Sequence, residues 1–297
     1  CRVEVQGVVR GRVRSHIFWH LVWICPRSSA MVLPMMNADP RKFPITEVPG
    51  QRATREQLSM FLTRYKFASG YCEGKDLIEI ACGAGQGLGY LAKYARRVVG
   101  GDLDKGVLQI PQELYRGRRA IEILGLDAQR LPFRNESFDV VVLFDAIYWI
   151  DDSTGFFREA RRVLRPDGRL LISTVNKHWK DFNPSPYATR YLTGRELGEA
   201  MEAEGFKTRL FGAFSTESNS MREIFVSALR RVAIRFDLIP SKVAGKERLK
   251  WLFYGKLVAI PPMVSEGMGE FFSPTPLNPE DKRDQYKMLY AVGERGK

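Results

Sequence analysis

Asp76-Leu-Ile-Glu-Ile-Ala-Cys-Gly-Ala-Gly-Gln-Gly-Leu-Gly89 is the stretch that decides the fold. Leu77–Ile80 is a short apolar run of strand length, broken by a turn on Gly83, Gly85 and Gly87 before helical spacing begins. Glycine is needed where backbone comes within contact distance of a ligand. The first turn of the helix that follows offers unpaired N–H groups and the positive end of its dipole. Strand, glycine turn and helix together predict a site for a nucleotide-like ligand, the alternative being a tight turn that binds nothing.

Outward from that stretch the same alternation recurs. Apolar runs at Val98–Gly101, Ile121–Leu126, Phe138–Phe144 and Arg169–Val175 alternate with helical stretches at Gly87–Arg96, Asp104–Tyr115 and Gly155–Leu164. Most runs are continuously apolar, as in parallel strands covered on both faces, so the pattern predicts a doubly wound α/β fold. Upstream, Thr54-x-x-Gln57 reads as a capping box opening a helix, with Leu58, Phe61, Leu62 and Tyr65 on its apolar face and Gly70 closing it. Arg165-Pro-Asp-Gly168 reads as a helix stop and turn, and Thr193-x-x-Glu196 caps a further helix running to Gly205. Lys207–Phe211 and Tyr286–Val292 supply a sixth and a seventh strand, and residues 213–283 between them are too many for a plain connection. The expected organisation is an extension (1–36), a core (37–212), a basic helical insertion or lid (213–283) and a final core strand (284–297).

Composition narrows the function classes. The 297 residues include 46 Lys+Arg and 34 Asp+Glu, a formal net charge of +12, with 44% apolar and 27% charged residues. That balance excludes wholesale disorder, and no apolar run reaches the roughly 20 residues of a membrane-spanning helix. Cys1, Cys25, Cys72 and Cys82 show no paired spacing, so neither a disulfide framework nor a thiolate metal site is expected, and a cytoplasmic compartment is the default. Residues 1–30 carry five arginines against Glu4, then an apolar run at His16–Cys25 and small residues, which imitates a signal peptide. The reading adopted is translated upstream sequence, with a start at Met31, Met35 or Met36.

The ligand class follows from glycine spacing. A dinucleotide turn asks for G-x-G-x-x-G, but the third glycine falls on Leu88 counting from Gly83, or on Tyr90 counting from Gly85. Glu79-x-Ala81-x-Gly83-x-Gly85 fits a different pattern, acidic-x-Gly-x-Gly-x-Gly, with alanine at its first glycine. Downstream, strand two ends Val99-Gly-Gly-Asp102-Leu103-Asp104 and strand three ends Gly125-Leu-Asp127-Ala128. Phe133-x-x-x-x-Phe138-Asp139 and Glu159-x-x-Arg162-Val-Leu-Arg-Pro-Asp-Gly168 follow in order. With these motifs, residues 76–176 resemble a class I S-adenosylmethionine-dependent methyltransferase of the bacterial small-molecule type.

The resemblance implies a Rossmann-like, seven-stranded, mostly parallel sheet and S-adenosyl-L-methionine as cofactor. It implies that Glu79 orients the methionine amino group, that Gly83 and Gly85 pass beneath the cofactor, and that Ala81 is tolerated as a small departure. Asp102 would accept the ribose hydroxyls and Leu103 flank the adenine. Asp127 would accept from the adenine amino group, with the Ala128 N–H against the ring. Asp145, at the end of strand four, would face the cofactor mouth.

Acceptor chemistry is sought after strands four and five, in Asp145-Ala-Ile-Tyr148-Trp149, in Asn176-Lys-His178 and at Tyr187. Asp145 and His178 are the candidate general bases, needed where the acceptor is a weakly acidic hydroxyl. Tyr148, Trp149, Asn176 and Tyr187 are the candidate substrate contacts. The structural alternatives are a loop histidine for His178 and a core-facing helical turn for Tyr148 and Trp149. The Asn/Asp-Pro-Pro-aromatic signature of base-methylating enzymes is absent after strand four, as is a catalytic Pro-Cys, so nucleic acid is not the expected partner. In the insertion, Met221, Ile224, Phe225, Ala228, Leu229, Val232 and Phe236 share one helical face, and residues 222–260 hold nine Lys/Arg against three Asp/Glu. Such a segment suits a lid, or peripheral contact with an anionic membrane surface or a lipid-linked substrate. Phe144–Tyr148 and Asn183-Pro-Ser-Pro186 are similar to a bacterial subgroup associated with polysaccharide and secondary biosynthesis. The expected function is methyl transfer to a small-molecule acceptor, by O-methylation of a glycosyl or lipid-linked intermediate. The alternatives are an RNA methyltransferase or a non-catalytic RNA- or partner-binding module.

Overall fold

In the computed structural model, residues 47–216, 257–278 and 284–296 are described. The chain enters through β1 (Arg52–Ala53) and α1 (Arg55–Ser69), then β2 (Asp76–Ile80), α2 (Leu88–Leu91), β3 (Arg97–Asp102), α3 (Gln109–Leu114), β4 (Ile121–Gly125) and β5 (Phe138–Phe144). A 3-10 turn (Ile147–Trp149), α4 (Ser153–Val163), β6 (Leu164–Val175), α5 (Gly194–Ala203) and β7 (Phe206–Ser215) follow. Short β8 (Val258–Ala259) and β9 (Thr275–Pro276) precede β10 (Tyr286–Arg295).

The main sheet runs β4-β3-β2-β5-β6-β10-β7-β9. β4 to β6 are parallel, whereas β10 inserts antiparallel between β6 and β7. All seven expected strands are present, and β9 adds a two-residue edge. Strand order reverses between β2 and β5, and the crevice at the carboxyl ends of strands at such a reversal is where doubly wound folds bind ligands.

Side-chain alternation divides the sheet between two cores. Leu77, Val98, Val140 and Val142 face α1, α2 and α3, where they meet Leu58, Phe61, Leu62, Leu88 and Leu91. Ile78, Ile80, Val99, Val141 and Leu143 face α4 and α5, against Phe156, Phe157, Val163, Leu197 and Met201. Truncating one of these sealed aliphatic side chains to alanine costs about 2–5 kcal/mol. The helices start where capping predicts. Thr54 and Gln57 close a reciprocal box at 3.0 and 3.1 Å, Thr193 and Glu196 another at 2.7 and 3.0 Å, and Asp152 caps α4. At the pole opposite the crevice, the Asp76 carboxylate accepts from Arg96 and Arg165, and Asp139 pairs with Arg165, tying the starts of β2, β5 and β6 together.

Three local expectations are corrected. α2 stops at Leu91, and the chain continues to Ala95 in turns, with i→i+3 bonds at Lys93 and Tyr94 and a last i→i+4 bond from the Ala95 N–H to the Leu91 carbonyl. α3 begins at Gln109 because the Asp104 carboxylate captures the Gly106 N–H in a turn of its own. Arg165–Gly168 does not separate helix from strand. Phe138 faces Leu164 and Val140 faces Arg169, so those residues bulge out within β6, with Asp167 at φ +62°.

The described part of the insertion, 257–278, is extended chain and turns rather than helix. Pro261-Pro262 and Gly267-x-Gly269 are the residues that argue against a helix there. This strap bonds to the N-terminal arm (Ile260 N–H to the Gln51 carbonyl, 2.8 Å) and to the glycine turn (Val264 N–H to the Gln86 carbonyl, 2.9 Å). It also bonds to α1, through the Glu270 N–H to Ser59 Oγ (2.9 Å) and the Phe272 N–H to Thr63 Oγ1 (3.1 Å). The amphipathic stretch 221–236 and the extension 1–36 lie outside the described residues. Among the described residues no helix is long and apolar enough to cross a membrane.

Candidate functional site

A cavity of about 590 Å³ opens over the carboxyl ends of β2, β3 and β5. That is ample for one cofactor-sized ligand. Its lining brings together Glu79, Ala81, Gly83, Asp102, Leu103, Asp127, Ala128, Asp145, Tyr148, Trp149 and Tyr187, all singled out from the sequence.

The β2 end is held open by backbone geometry. Ala81 sits at φ +55° and Gly83 at φ +54°. This left-handed region costs a non-glycine residue roughly 1–2 kcal/mol, so the alanine at the first glycine position is strained rather than free. A Cβ on Gly83 would meet nothing within 4 Å, because that face of the turn looks into the cavity. The other two glycines also serve packing, Gly85 from a left-handed backbone of its own at φ +68°. A Cβ on Gly85 would lie 2.5 Å from Pro111 Cβ, and one on Gly87 would lie 1.8 Å from Tyr65 Cε1. Gly85, expected beneath the cofactor, is thus turned toward α3 and is not among the lining residues.

Room at Gly87 admits the Tyr65 ring, whose hydroxyl donates to Glu79 Oε1 at 2.7 Å. Glu79 is buried, and its Oε2 has no partner. Burial pushes this carboxyl up to about 7, against the Tyr65 hydrogen bond and the nearby Arg64 charge, which lower it. A buried carboxylate with one empty oxygen at a cavity wall fits an ammonium group. At the β3 end, Asp102 accepts the Gly83 N–H and the Asp104 N–H, each at 2.9 Å, so it braces the glycine turn as well as facing the cavity. Burial raises its carboxyl, and the backbone N–H bonds pull against that shift. Asp127 accepts the Gln129 N–H at 2.9 Å, a local turn that leaves its second oxygen facing out. Leu103 is 58% exposed at the rim, an apolar surface suited to a flat ring. Empty carboxylate, open glycine face, two further carboxylates and an apolar rim match the ammonium, hydroxyl, amino and ring groups of S-adenosylmethionine.

The β5 end is different. Asp145, at φ +48°, accepts from Ser173 Oγ at 3.1 Å and pairs with Arg64 of α1, which also pairs with Glu47 of the N-terminal arm. Arg64 is buried against Phe61, its guanidinium carbon 4.3 Å from the ring centroid. Neither Arg64 nor Glu47 was anticipated from the sequence. The available signal was a charge on the apolar face of α1, three residues after Phe61 and beside Tyr65. Tyr148 stacks on Tyr191 at 4.7 Å, and Tyr187 and Thr189, after Asn183-Pro-Ser-Pro186, reach the same wall.

Two expected residues lie elsewhere. Asn176 is buried, donating its Nδ2 to the Tyr286 carbonyl at 2.8 Å and its N–H to Lys287, so it joins β6 to β10. His178 donates its N–H to Asn176 Oδ1 at 3.0 Å and is not among the residues lining the cavity. No histidine among the described residues lines the cavity. Among the described residues, no group of three or more His, Cys, Asp or Glu could hold a metal ion.

Known proteins can be set beside this geometry. A methyltransferase-domain family matches residues 78–172. A probable S-adenosylmethionine-dependent methyltransferase of Mycolicibacterium smegmatis is 33% identical over 178 residues, covering 58% of this chain and 68% of that protein. The phthiotriol/phenolphthiotriol dimycocerosates methyltransferase of Mycobacterium leprae is 28% identical over 213 residues, 71% of this chain and 65% of that protein. The malonyl-[acyl-carrier protein] O-methyltransferase of Hahella chejuensis is 30% identical over 145 residues, 45% of this chain and 51% of that protein. The chain thus spans between about half and two thirds of these relatives. A Thermotoga maritima methyltransferase structure aligns at TM-score 0.51 and 15% identity over 80% of this chain and 89% of that one, a likeness of fold. With a third of its residues identical to the M. smegmatis protein over two thirds of that protein's length, the chain belongs to the S-adenosylmethionine-dependent methyltransferases, with S-adenosylmethionine as cofactor.

Proposed function

We propose that the enzyme methylates a hydroxyl of a small, lipid-related or glycosyl acceptor, and that Glu79, Ala81, Gly83, Asp102, Leu103, Asp127 and Ala128 hold the cofactor. The relative named for a phthiotriol/phenolphthiotriol dimycocerosate substrate supports a lipid-related hydroxyl acceptor. The observation that carries the assignment of ends is Glu79: a buried carboxylate with an unpartnered oxygen lines the cavity near the end of β2, the strand that leads into the glycine turn, leaving the Arg64–Asp145 side for the acceptor.

When bound, the cofactor would supply an electrophilic methyl group to the acceptor oxygen, with its neutral sulfur as the leaving group. The chain's task is to align the acceptor and exclude water. Asp145 accepts the hydrogen bond of the acceptor hydroxyl and takes its proton as the oxygen is alkylated. A carboxylate is a weak base, yet an oxygen gaining a methyl becomes far more acidic than a carboxylic acid, so a weak base suffices. Tyr148, Trp149 and Tyr187 pack on the acceptor body. The basic residues of 222–260 supply contact with an anionic surface carrying a lipid-linked acceptor.

Incubating the full chain with methyl-labelled cofactor and fractionated bacterial lipid and polar extracts tests this reading. Alkali-stable label in a product whose mass has gained one methyl on a hydroxyl supports it. Label confined to RNA, or released by alkali as from a methyl ester, contradicts it.

A further inference from the structure

We propose that the acceptor end admits an uncharged hydroxyl compound and rejects carboxylate and phosphate acceptors, with Glu47, Arg64 and Asp145 setting that selectivity; this rests on the methyltransferase reading above. The chain as a whole carries +12, yet seven of the described residues lining the cavity are Asp or Glu and a single one, Arg64, is a cation. Arg64 is not available to an incoming anion. It is buried, and its guanidinium is held by Asp145 on one side and Glu47 on the other. Its Nε–H is buried without a partner, so no donor of Arg64 faces the acceptor as a free cation.

An anionic acceptor therefore meets two carboxylates around one guanidinium, a net negative charge in a site walled by Phe61, Phe144, Tyr148 and Trp149. Low-dielectric walls strengthen that repulsion. An amine fares differently: the same field draws it in but stabilises its protonated form, which has no lone pair to receive a methyl group. A hydroxyl is the group that enters without charge, donates to Asp145 and still carries the reacting lone pair. Arg64 is a positioning residue here, fixing the two carboxylates rather than touching the reacting atoms.

The test uses the full chain saturated with S-adenosylhomocysteine at pH 8 and low salt. Two probes of matched shape are titrated calorimetrically, neutral 4-butylphenol and anionic 4-butylbenzoate. The phenol is expected to bind about tenfold or more tightly than the benzoate, with the ratio shrinking as salt rises. In the Glu47→Gln/Asp145→Asn double variant, the ratio is expected to fall at least threefold toward unity. Equal or tighter binding of the benzoate to the wild type overturns the proposal, as does failure of both probes to bind. A wild-type ratio that persists in a folded double variant removes these residues as its source. The salt dependence in the wild type decides the matter if the variant does not fold. Absence of heat with S-adenosylhomocysteine alone strikes instead at the cofactor reading beneath.

Discussion

The two ends of the cavity were assembled in different ways. The cofactor end draws on residues 79–128, each at or just beyond the carboxyl end of a consecutive strand, so spacing along the chain maps directly onto position in space. The acceptor end gathers Glu47 from the arm before β1, Arg64 from α1, Asp145 after β5, Tyr187 and Thr189 from a loop and Met288 from β10. One end is local and repetitive, whereas the other is a convergence of distant segments. A fold can thus announce what it holds in common with its relatives while concealing what distinguishes it.

Substitutions at the two ends should separate in what they change. The largest effect is expected from Asp145→Asn, which keeps the shape and tolerates φ +48° but cannot take a proton. Methyl transfer should fall about a hundredfold or more, with cofactor affinity within about threefold of wild type. His178→Ala, outside the lining, should leave transfer near wild type, and a comparable loss there would restore the histidine as base.

Glu79→Gln should do the reverse, weakening cofactor binding about 10- to 100-fold, the worth of a hydrogen bond to a charged group. Its pH dependence sharpens the point. In the free protein the Glu79 carboxyl is raised to about 7 from an ordinary value of 4.5, so the folded state binds a proton that the unfolded state has released. The stability contributed is present at low pH and is lost as pH rises from about 4.5 through about 7. At pH 8 Glu79→Gln should therefore melt higher than wild type without cofactor, and cofactor affinity of the wild type should rise between pH 6 and 7.5 as the carboxylate ionises. A variant that melts lower at pH 8 would contradict the burial argument.

Gly87→Ala probes the link between the ends. The new methyl must displace the Tyr65 ring, at a cost of about 1–3 kcal/mol in stability, and should raise the cofactor Kd by loosening the Tyr65–Glu79 bond. The smallest effect is expected from Ala81→Gly. Relief of the left-handed alanine, less the extra chain entropy of glycine, should stabilise the protein by up to about 1 kcal/mol, measurable by urea unfolding.

Much of the fold was legible because parallel strands buried on both faces read as unbroken apolar runs, and because Thr54 and Thr193 announce their helices. What escaped has physical causes. Asp104 and the Arg165–Gly168 bulge obey local backbone bonding that no periodicity registers. The strap 257–278 has meaning only through what it touches, among them Gln51, Ser59, Thr63 and Gln86. The motif puts Gly85 beneath the cofactor, whereas the structure gives it Pro111 as a neighbour, as it gives Gly87 Tyr65, because a glycine made necessary by packing looks the same in sequence as one made necessary by a cofactor. Arg64 was hidden for the opposite reason: a charge on an apolar helix face gains its sense only when Glu47 and Asp145 arrive beside it.

The central claim is that Glu79, with its empty oxygen, anchors the amino group of the cofactor. Calorimetry of S-adenosylhomocysteine binding to wild type and Glu79→Gln across pH 6 to 8 tests it most directly. The account predicts binding to the wild type that tightens with pH and a weaker, pH-flat response in the variant over the same range. Equal affinities and identical pH profiles for the two proteins would contradict it.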